Sequence, residues 1–377
     1  MTLFIYGTLL YPPLFALVSG APLRRAAPAF LPGFAVETSP DGPWPALVKR
    51  KGDTARGMVL RGLSPGQMRR LDAYERPFGY ERAAITLQDE NGDDLEATAW
   101  LPSAGQSASG RDWSLSAWVR EDAAEAMLAA AEVDWGAEDF DDADILRQWP
   151  MIRGRAAAQL RASAEERPAQ VRRSPGQGDW NHASRGPMAG AFFRLDTMTM
   201  AHRRFDGGWN RDLLREVFVG CDVALVLPYD PVRDRVLLVE QFRAGPARRG
   251  DRNPWVLEPV AGIVDAGETP EAAALREARE EAGLALAPGD LRPMFAAYPS
   301  PGNATDHFNA WAALTDLPDG FPVSGGVAAE GEDLRLHVLP FTRAMELLDS
   351  GEVTAVPLVA MLLWLARERP DLKRGHG

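Results

Sequence analysis

The sequence contains a single cysteine, Cys221, in 377 residues. An intrachain disulfide is therefore excluded, and a cysteine-based zinc site has too few ligands to form. A lone cysteine of this kind is most often a small buried apolar residue. Lysine is almost as scarce, with Lys49, Lys51 and Lys373 the only ones. The remaining basic residues are arginines, and 41 Lys+Arg against 53 Asp+Glu leave a net charge of −12. No segment is basic, which argues against nucleic acid as the main partner. An acidic surface also repels anions, so a phosphate-bearing substrate needs local arginines or a bound cation to enter. No apolar run approaches the ~18 residues of a membrane span. The first residues also lack the basic-then-apolar order of a secretory signal. A cytoplasmic protein with no membrane partner is the expectation.

What is present is ordinary globular composition, 46% hydrophobic and 25% charged. At roughly 100–200 residues per domain, the length suggests two or three domains. The first hundred residues read as β-rich, with short strands at 3–6, 34–37, 46–48, 56–60, 83–88 and 96–101. Asn91-Gly92 between the last two is a hairpin signal. A helix over 64–74 has Ser64 as N-cap and Pro65 at its first position. The Ser/Gly/Ala-rich stretch 103–110 reads as a loop. Alanine-rich helices follow at 122–132 and 153–163, with an acidic patch at 138–144 between them and a polar linker at 172–181. Strands return at 191–200, 203–205, 223–227, 235–241, 308–314 and 334–339, with helices at 269–282, 341–350 and 358–369. The expectation is an α+β chain of two domains, 1–114 and 181–377, joined by a helical connector and linker over 115–180.

The most informative segment is the helix at 269–282. Glu277, Glu280 and Glu281 stand at i, i+3 and i+4 and so share one face. Like charges so placed cost helix stability unless something cationic offsets them. Hard carboxylate oxygens suit Mg²⁺ or Mn²⁺. Arg276, four residues before Glu280, offsets only part of the charge. The wider spacing is Gly262, five residues, Glu268, seven residues, Arg276-Glu277, then Glu280-Glu281 and Gly283-Leu284. This pattern resembles the Nudix box, with Ala278 smaller than the aliphatic residue usual there. The resemblance implies an α/β/α sandwich with a loop–helix–loop metal site that hydrolyses a nucleoside diphosphate linked to another moiety.

The flanks resemble the ADP-ribose pyrophosphatase branch of that family. The resemblance rests on the run ending Glu240-Gln241-Phe242-Arg243, on Trp255 to Gly262, on Ser300-Pro301-Gly302, on Arg215-Glu216 and on Glu330-Gly331-Glu332. It implies Glu277 and Glu281 as metal ligands, helped by Glu280, Glu332 and the Ala261 carbonyl. It also implies Glu330 as the base, with Glu281 beside it in catalysis. Arg243 would hold a phosphate or the terminal ribose, and Ser300, Gly302 and Asp306 would contribute to substrate binding. Asp306 stands where the branch usually has glutamate. A homodimer is implied too, with strands around 191–205 packing across a two-fold and Arg215 and Glu216 near the partner's site. The expected ligand is ADP-ribose or a similar small molecule.

Tyr6-Gly7-Thr8-Leu9 directly follows the first strand, and glycine there lets backbone amides approach a ligand. Together with Leu71 to Glu75 and Tyr80-Glu81-Arg82, this order resembles the γ-glutamylcyclotransferase-like, or AIG2-like, family over residues 1–102. The resemblance implies a β-barrel with helices and makes Glu75 the acid/base that assists release of 5-oxoproline from a γ-glutamyl amine. Arg76-Pro77 follows Glu75 where glycine is common in that family. The rival reading is a sensing protein whose N-terminal unit binds a small molecule without turning it over.

Overall fold

The computed structural model describes residues 2–40, 42–103, 110–166, 168–174, 176–327 and 331–374. The chain divides into two units, Met1–Pro168 and Ala169–Gly377.

In the first unit β1 (Thr2–Ile5), β2 (Ala26–Thr38), β3 (Pro45–Arg61), β4 (Tyr80–Gln88) and β5 (Asp94–Pro102) close into a barrel of order β1-β3-β2-β4-β5. The runs expected at 46–48 and 56–60 are one strand, because the β2–β3 hairpin stays paired from Ala26↔Leu60 to Thr38↔Pro45. The β4–β5 hairpin turns around Asn91-Gly92 as expected, pairing Tyr80↔Pro102 through Gln88↔Asp94. A helix absent from the sequence reading, α1 (Pro12–Ser19), buries Leu14, Phe15 and Val18. Its two opening prolines look like a turn, yet the first helical turn is where proline is tolerated. Next, α2 (Pro65–Glu75) starts from a capping box. Ser64 accepts from the Gln67 N–H at 3.2 Å, and Gln67 accepts from the Ser64 N–H at 2.8 Å. A cap of this kind contributes about 1 kcal/mol. The helix delivers Glu75 as its last residue.

The segment expected as a connector forms α3 (Leu115–Glu121), α4 (Ala123–Ala131) and α5 (Asp142–Ala164), which fall in the first unit. Trp118, Ala123, Ala130 and Trp135 share one core with Leu3, Ile5, Leu14 and Phe15. Alanine content marks helix, but the tryptophans between the alanines give these helices something to bury. Buried Arg155 on α5 donates to Glu132, beyond the end of α4, at 3.0 Å.

The second unit opens with a three-stranded sheet of β6 (Trp180–Ser184), β7 (Arg194–Arg203) and β8 (Trp209–Val219), in that order. The pairs Arg211-Asp212 and Arg215-Glu216 break the alternation by which β8 could have been read as a strand. Then follow β9 (Asp222–Asp230), β10 (Arg235–Phe242), α6 (Ala244–Arg249), β11 (Trp255–Glu258), β12 (Val260–Ile263) and α7 (Pro270–Ala282). The unit ends with β13 (Leu291–Ala297), β14 (His307–Leu314), β15 (Ser324–Gly325), β16 (Leu334–Pro340), α8 (Phe341–Ser350) and α9 (Val356–Arg374). The sheet runs β13-β14-β9-β10-β16-β15, with β11 on β10 and β12 on β9.

The side-chain period of two sorts this sheet into layers. Ala224 and Val226 of β9, with Leu237 and Val239 of β10, share a core with the alanines of α7. Their neighbours Leu225, Leu227, Tyr229, Val236 and Leu238 pack with Phe341 and Leu347 of α8 and with Leu358, Met361 and Leu365 of α9. This is the expected helix–sheet–helix sandwich. Among the described residues no helix is long and apolar enough to cross a membrane.

Candidate functional site

In the second unit α7 positions the acidic face. Thr269 caps the helix by accepting from the Ala272 N–H at 3.1 Å. Ala273, Ala274, Ala278 and Ala282 are buried against the sheet. The small residue at 278 is therefore a packing feature, fully covered in the core. Glu281 lies on the same buried side and is only 2% exposed. Its carboxylate accepts from the Ala261 N–H at 3.0 Å. Burial pushes the Glu281 carboxyl up to about 8, with Glu332 and Glu277 adding to the rise. Burial also raises Glu277, against the pull of Arg276.

Arg276 neutralises more of this face than the sequence indicated. It grips Glu268 at 3.0 and 3.1 Å, reaches Glu277 at 2.6 Å and Glu280 at 3.1 Å, and donates to the Ile263 carbonyl at 2.9 Å. Gly262 lies directly under Glu277. A Cβ there would sit 1.8 Å from the Glu277 Oε1, so only glycine lets the carboxylate reach this position. Glu332 accepts from the Val327 N–H at 3.0 Å and adds its charge to those of Glu277 and Glu281.

The structure thus brings Ala261, Glu277, Glu280, Glu281 and Glu332 around one helix face. Their donor set is hard oxygen, and their mutual repulsion is what a divalent cation offsets. In this respect the residues fit Mg²⁺ or Mn²⁺. Among the described residues no three acidic or histidine side chains already stand as a ready ligand set. Glu277 and Glu280 are turned to Arg276 instead. Glu330 lies outside the described residues.

Arg243 follows β10 and pairs with Glu258 at 2.7 Å. Its charge also acts on Glu281. Ser300 and Gly302 lie on an exposed turn, where the Ser300 hydroxyl meets Asn303 Oδ1 at 2.5 Å. Asp306 packs against Gly220, and burial raises its carboxyl. Arg215 and Glu216 stand apart from the carboxylates, exposed on β8 in the three-stranded sheet. Arg215 donates to the carbonyl of adjacent Leu214 at 2.7 Å. The end of β8 is tied to the Ser300 turn, because the Phe218 N–H donates to the Asn303 carbonyl at 2.8 Å.

The first unit holds a separate cavity of about 100 Å³. Tyr6, Gly7, Thr8, Leu9 and Glu75 all line it. Gly7 follows β1 and lies against Pro45, where a Cβ would come within 2.4 Å of the proline ring. The Tyr6 hydroxyl is used inside the fold, donating to the Trp100 carbonyl at 2.7 Å. Burial, and then the nearby Asp72, push the Glu75 carboxyl up to about 8. Among the described residues Glu75 makes no ion pair. Sequence reasoning missed the far wall of this cavity, formed by Trp118, Asp122, Glu125, Trp149 and Arg153 of the helical segment. Four tryptophans between residues 113 and 149 were the available signal, since such residues rarely serve a mere connector.

Comparison with known proteins agrees with both units. A family model described as "Gamma-glutamyl cyclotransferase, AIG2-like" matches residues 3–119, and the NUDIX domain model matches 221–358. An ADP-ribose pyrophosphatase of Escherichia coli strain K12 is 34% identical over 198 residues, which are 52% of this chain and 93% of that protein. An ADP-ribose pyrophosphatase of Haemophilus influenzae is 35% identical over 185 residues, 48% of this chain and 84% of that one. A GDP-mannose pyrophosphatase of Salmonella choleraesuis is 34% identical over 174 residues, 46% of this chain and 88% of that one. A solved structure of an ADP compounds hydrolase aligns with a TM-score of 0.39 at 19% identity, over 52% of this chain and 94% of that one, too loosely to bear on the fold. The chain belongs to the Nudix family, its Nudix domain following an N-terminal domain of the γ-glutamyl cyclotransferase, AIG2-like kind.

Proposed function

We propose that the second unit hydrolyses a nucleoside diphosphate sugar, with ADP-ribose as substrate and AMP and ribose 5-phosphate as products. The observation that carries this is the buried carboxylate Glu281 held beside Glu277 and Glu332, with Arg243 acting on it. In the reaction water attacks one phosphorus, the bridging P–O bond breaks, and each product leaves with one phosphate. A bound Mg²⁺ or Mn²⁺ would supply charge neutralisation of the diphosphate and a more acidic water. Glu277 and Glu281 would hold the ion, supported by Glu280, Glu332 and the Ala261 carbonyl. Glu330 takes the proton of the attacking water. Arg243 exchanges Glu258 for a substrate oxygen, a charge-assisted bond that orients the diphosphate. Ser300, Gly302 and Asp306 line the approach.

The protein works as a homodimer in this reading. Arg215 and Glu216 are exposed on a sheet whose surroundings also expose Trp180, Phe192, Phe193, Leu214 and Phe218. Exposed apolar surface of this extent marks an interaction face. A second copy seated there places Arg215 and Glu216 at the adenine side of the partner's site.

A specific observation supports an activity in the first unit as well. Glu75 lines a cavity together with Gly7, Thr8 and Leu9. This suits a γ-glutamyl amide whose own amine attacks the γ-carbonyl while Glu75 carries the proton to the leaving amine.

The test for the second unit is product chromatography after incubation with ADP-ribose and Mg²⁺. AMP and ribose 5-phosphate are expected in equal amounts. An untouched ADP-ribose alongside a cleaved nucleoside triphosphate contradicts the branch.

A further inference from the structure

The loop between β10 and β11 sets four arginines close together. Residues 243–252 hold Arg243, Arg248, Arg249 and Arg252 against one acid, Asp251, in a chain of net charge −12. The loop is pinned at its base. Phe242 pairs with Trp255 across the two strands, their ring centres 5.4 Å apart. Beside them the Arg243 N–H donates to the Pro254 carbonyl at 3.0 Å. At the far end α6 stops at Gly250, where the N–H groups of Gly250 and Asp251 both donate to the Pro246 carbonyl, at 3.1 and 3.0 Å. The arginines are thus carried on a shaped backbone and not on a free tether.

Two of the four are already committed. Arg243 is paired with Glu258 and Arg249 with Asp251. Arg248 and Arg252 are exposed and make no ion pair among the described residues. The carbonyl end of α6 favours the positive charge of Arg248 and Arg249. Arg252 lies past the helix and has no such support. In an acidic chain this is a local reversal of sign, which draws anions to it. Two free guanidiniums match the charge of one phosphate monoester, about −1.5 to −2 at neutral pH. Their planar forks also suit its oxygens. A carboxylate, with a single charge, would leave the second arginine unused.

The place of the loop indicates which molecule carries that phosphate. The loop starts at Arg243, whose charge acts on Glu281. From there α6 runs for six residues, about 9 Å at helical rise. Its arginines are therefore within the span of one small-molecule substrate held at Arg243.

We propose that Arg248 and Arg252 form a subsite for a third phosphate, a monoester on the substrate's terminal sugar. The inference rests on the nucleoside diphosphate reading of the second unit. There Arg215 and Glu216 take the adenine side and Arg243 the diphosphate, which leaves the loop after Arg243 to the far sugar. Arg249 neutralises Asp251, the one acid that would repel the incoming anion. The subsite takes no part in bond cleavage. It binds ground state and transition state alike, so it lowers KM and leaves kcat as it is.

The test compares three compounds on the full chain with Mg²⁺. They are ADP-ribose, ADP-ribose 1″-phosphate with its third phosphate on the far sugar, and ADP-ribose 2′-phosphate with its third phosphate on the nucleoside. Nucleotide release is followed by chromatography. The 1″-phosphate is expected to exceed ADP-ribose in kcat/KM by about tenfold, the scale of one hydrogen bond to a charged group, and through KM alone. The 2′-phosphate is expected to gain nothing. Replacing both exposed arginines, Arg248→Ala with Arg252→Ala, is expected to bring the first ratio close to one. Calorimetry with EDTA in place of Mg²⁺ reads the same ranking as affinity, without hydrolysis. If nothing is hydrolysed but the 1″-phosphate binds most tightly and the double variant removes the difference, the diphosphatase reading fails and the subsite stands. If ADP-ribose is hydrolysed and the 1″-phosphate is no better, the subsite fails and the diphosphatase stands. A preference for the 2′-phosphate, or a preference unmoved by the double variant, also overturns the proposal. So does an equal fall for all three compounds in that variant, which is general steering of anions. Neither hydrolysis nor binding of any of the three overturns both readings.

Discussion

Glu281 holds a carboxyl in surroundings where an ionised one is costly. It is buried and adjoined by two further acids. Such a group is kept for what it binds. Glu281→Gln and Glu277→Gln are each expected to lower ADP-ribose turnover by orders of magnitude. The melting temperature should hold or rise, because each change removes an acid whose ionised form is costly in this buried, acidic setting. Turnover near that of the unaltered protein would remove the residue from the ion site. Glu75 gives a second prediction, on pH. Its pKa is about 8 in the folded state against an ordinary value of 4.5. Between these values the folded chain keeps a proton that the unfolded chain releases. Stability from this group is thus fully present below about pH 4.5 and is lost as pH rises to about 8. A base must be ionised, so 5-oxoproline release should climb over the same approach to pH 8. Glu75→Gln should abolish the activity and flatten that part of the stability profile. Melting scans and rates across pH 5–9 read both (roughly the range over which such a group titrates).

At the scale of elements, α7 and the strand before it act as one device. The alanines of α7 lie flat on the sheet, which brings its acidic residues down to β12. Gly262 of β12 leaves the space into which Glu277 fits. Gly262→Ala should therefore displace Glu277 and weaken metal activation far more than it lowers stability, since the displaced side chain can swing toward solvent. Activity titrated with Mg²⁺ should show a higher half-saturating concentration. An unchanged titration would mean that Glu277 does not serve the ion from this position. The helices α4 and α5 are a second device. They were expected to join two domains, and they instead close the cavity that holds Glu75.

At the scale of the whole molecule, two units carry two separate sites. Each candidate site is drawn from residues of its own unit, and in the proposed dimer Arg215 and Glu216 would serve a second copy. A homodimer of the 41.1 kDa chain is expected in solution by light scattering, in keeping with the prevalence of closed two-fold pairs. A monomeric mass at micromolar concentration would contradict it. Glu75→Gln should leave ADP-ribose hydrolysis unchanged. A loss there would show that the units are coupled.

The sequence by itself determined the family resemblance of both units and the ends of several elements, α2, α7 and α8 among them. The Nudix pattern is local, since Gly262 to Leu284 span one strand, one turn and one helix whose spacing shows without knowledge of the fold. The cap at Ser64, the hairpin at Asn91-Gly92 and the helix stop at Gly283 are likewise set by neighbours along the chain. Tertiary structure decided what depends on distant residues. It made one strand of two runs in β3, because β2 pairs along the whole length. It gave α3–α5 to the first unit, because tryptophans and alanines reveal an apolar face but not its partner. It set the charge balance of the acidic helix, because the reach of Arg276 to Glu268 depends on how the loop before α7 folds back. It also built the wall of Asp122 and Trp149 opposite Glu75, a meeting of residues about fifty to seventy-five positions apart that no periodicity encodes.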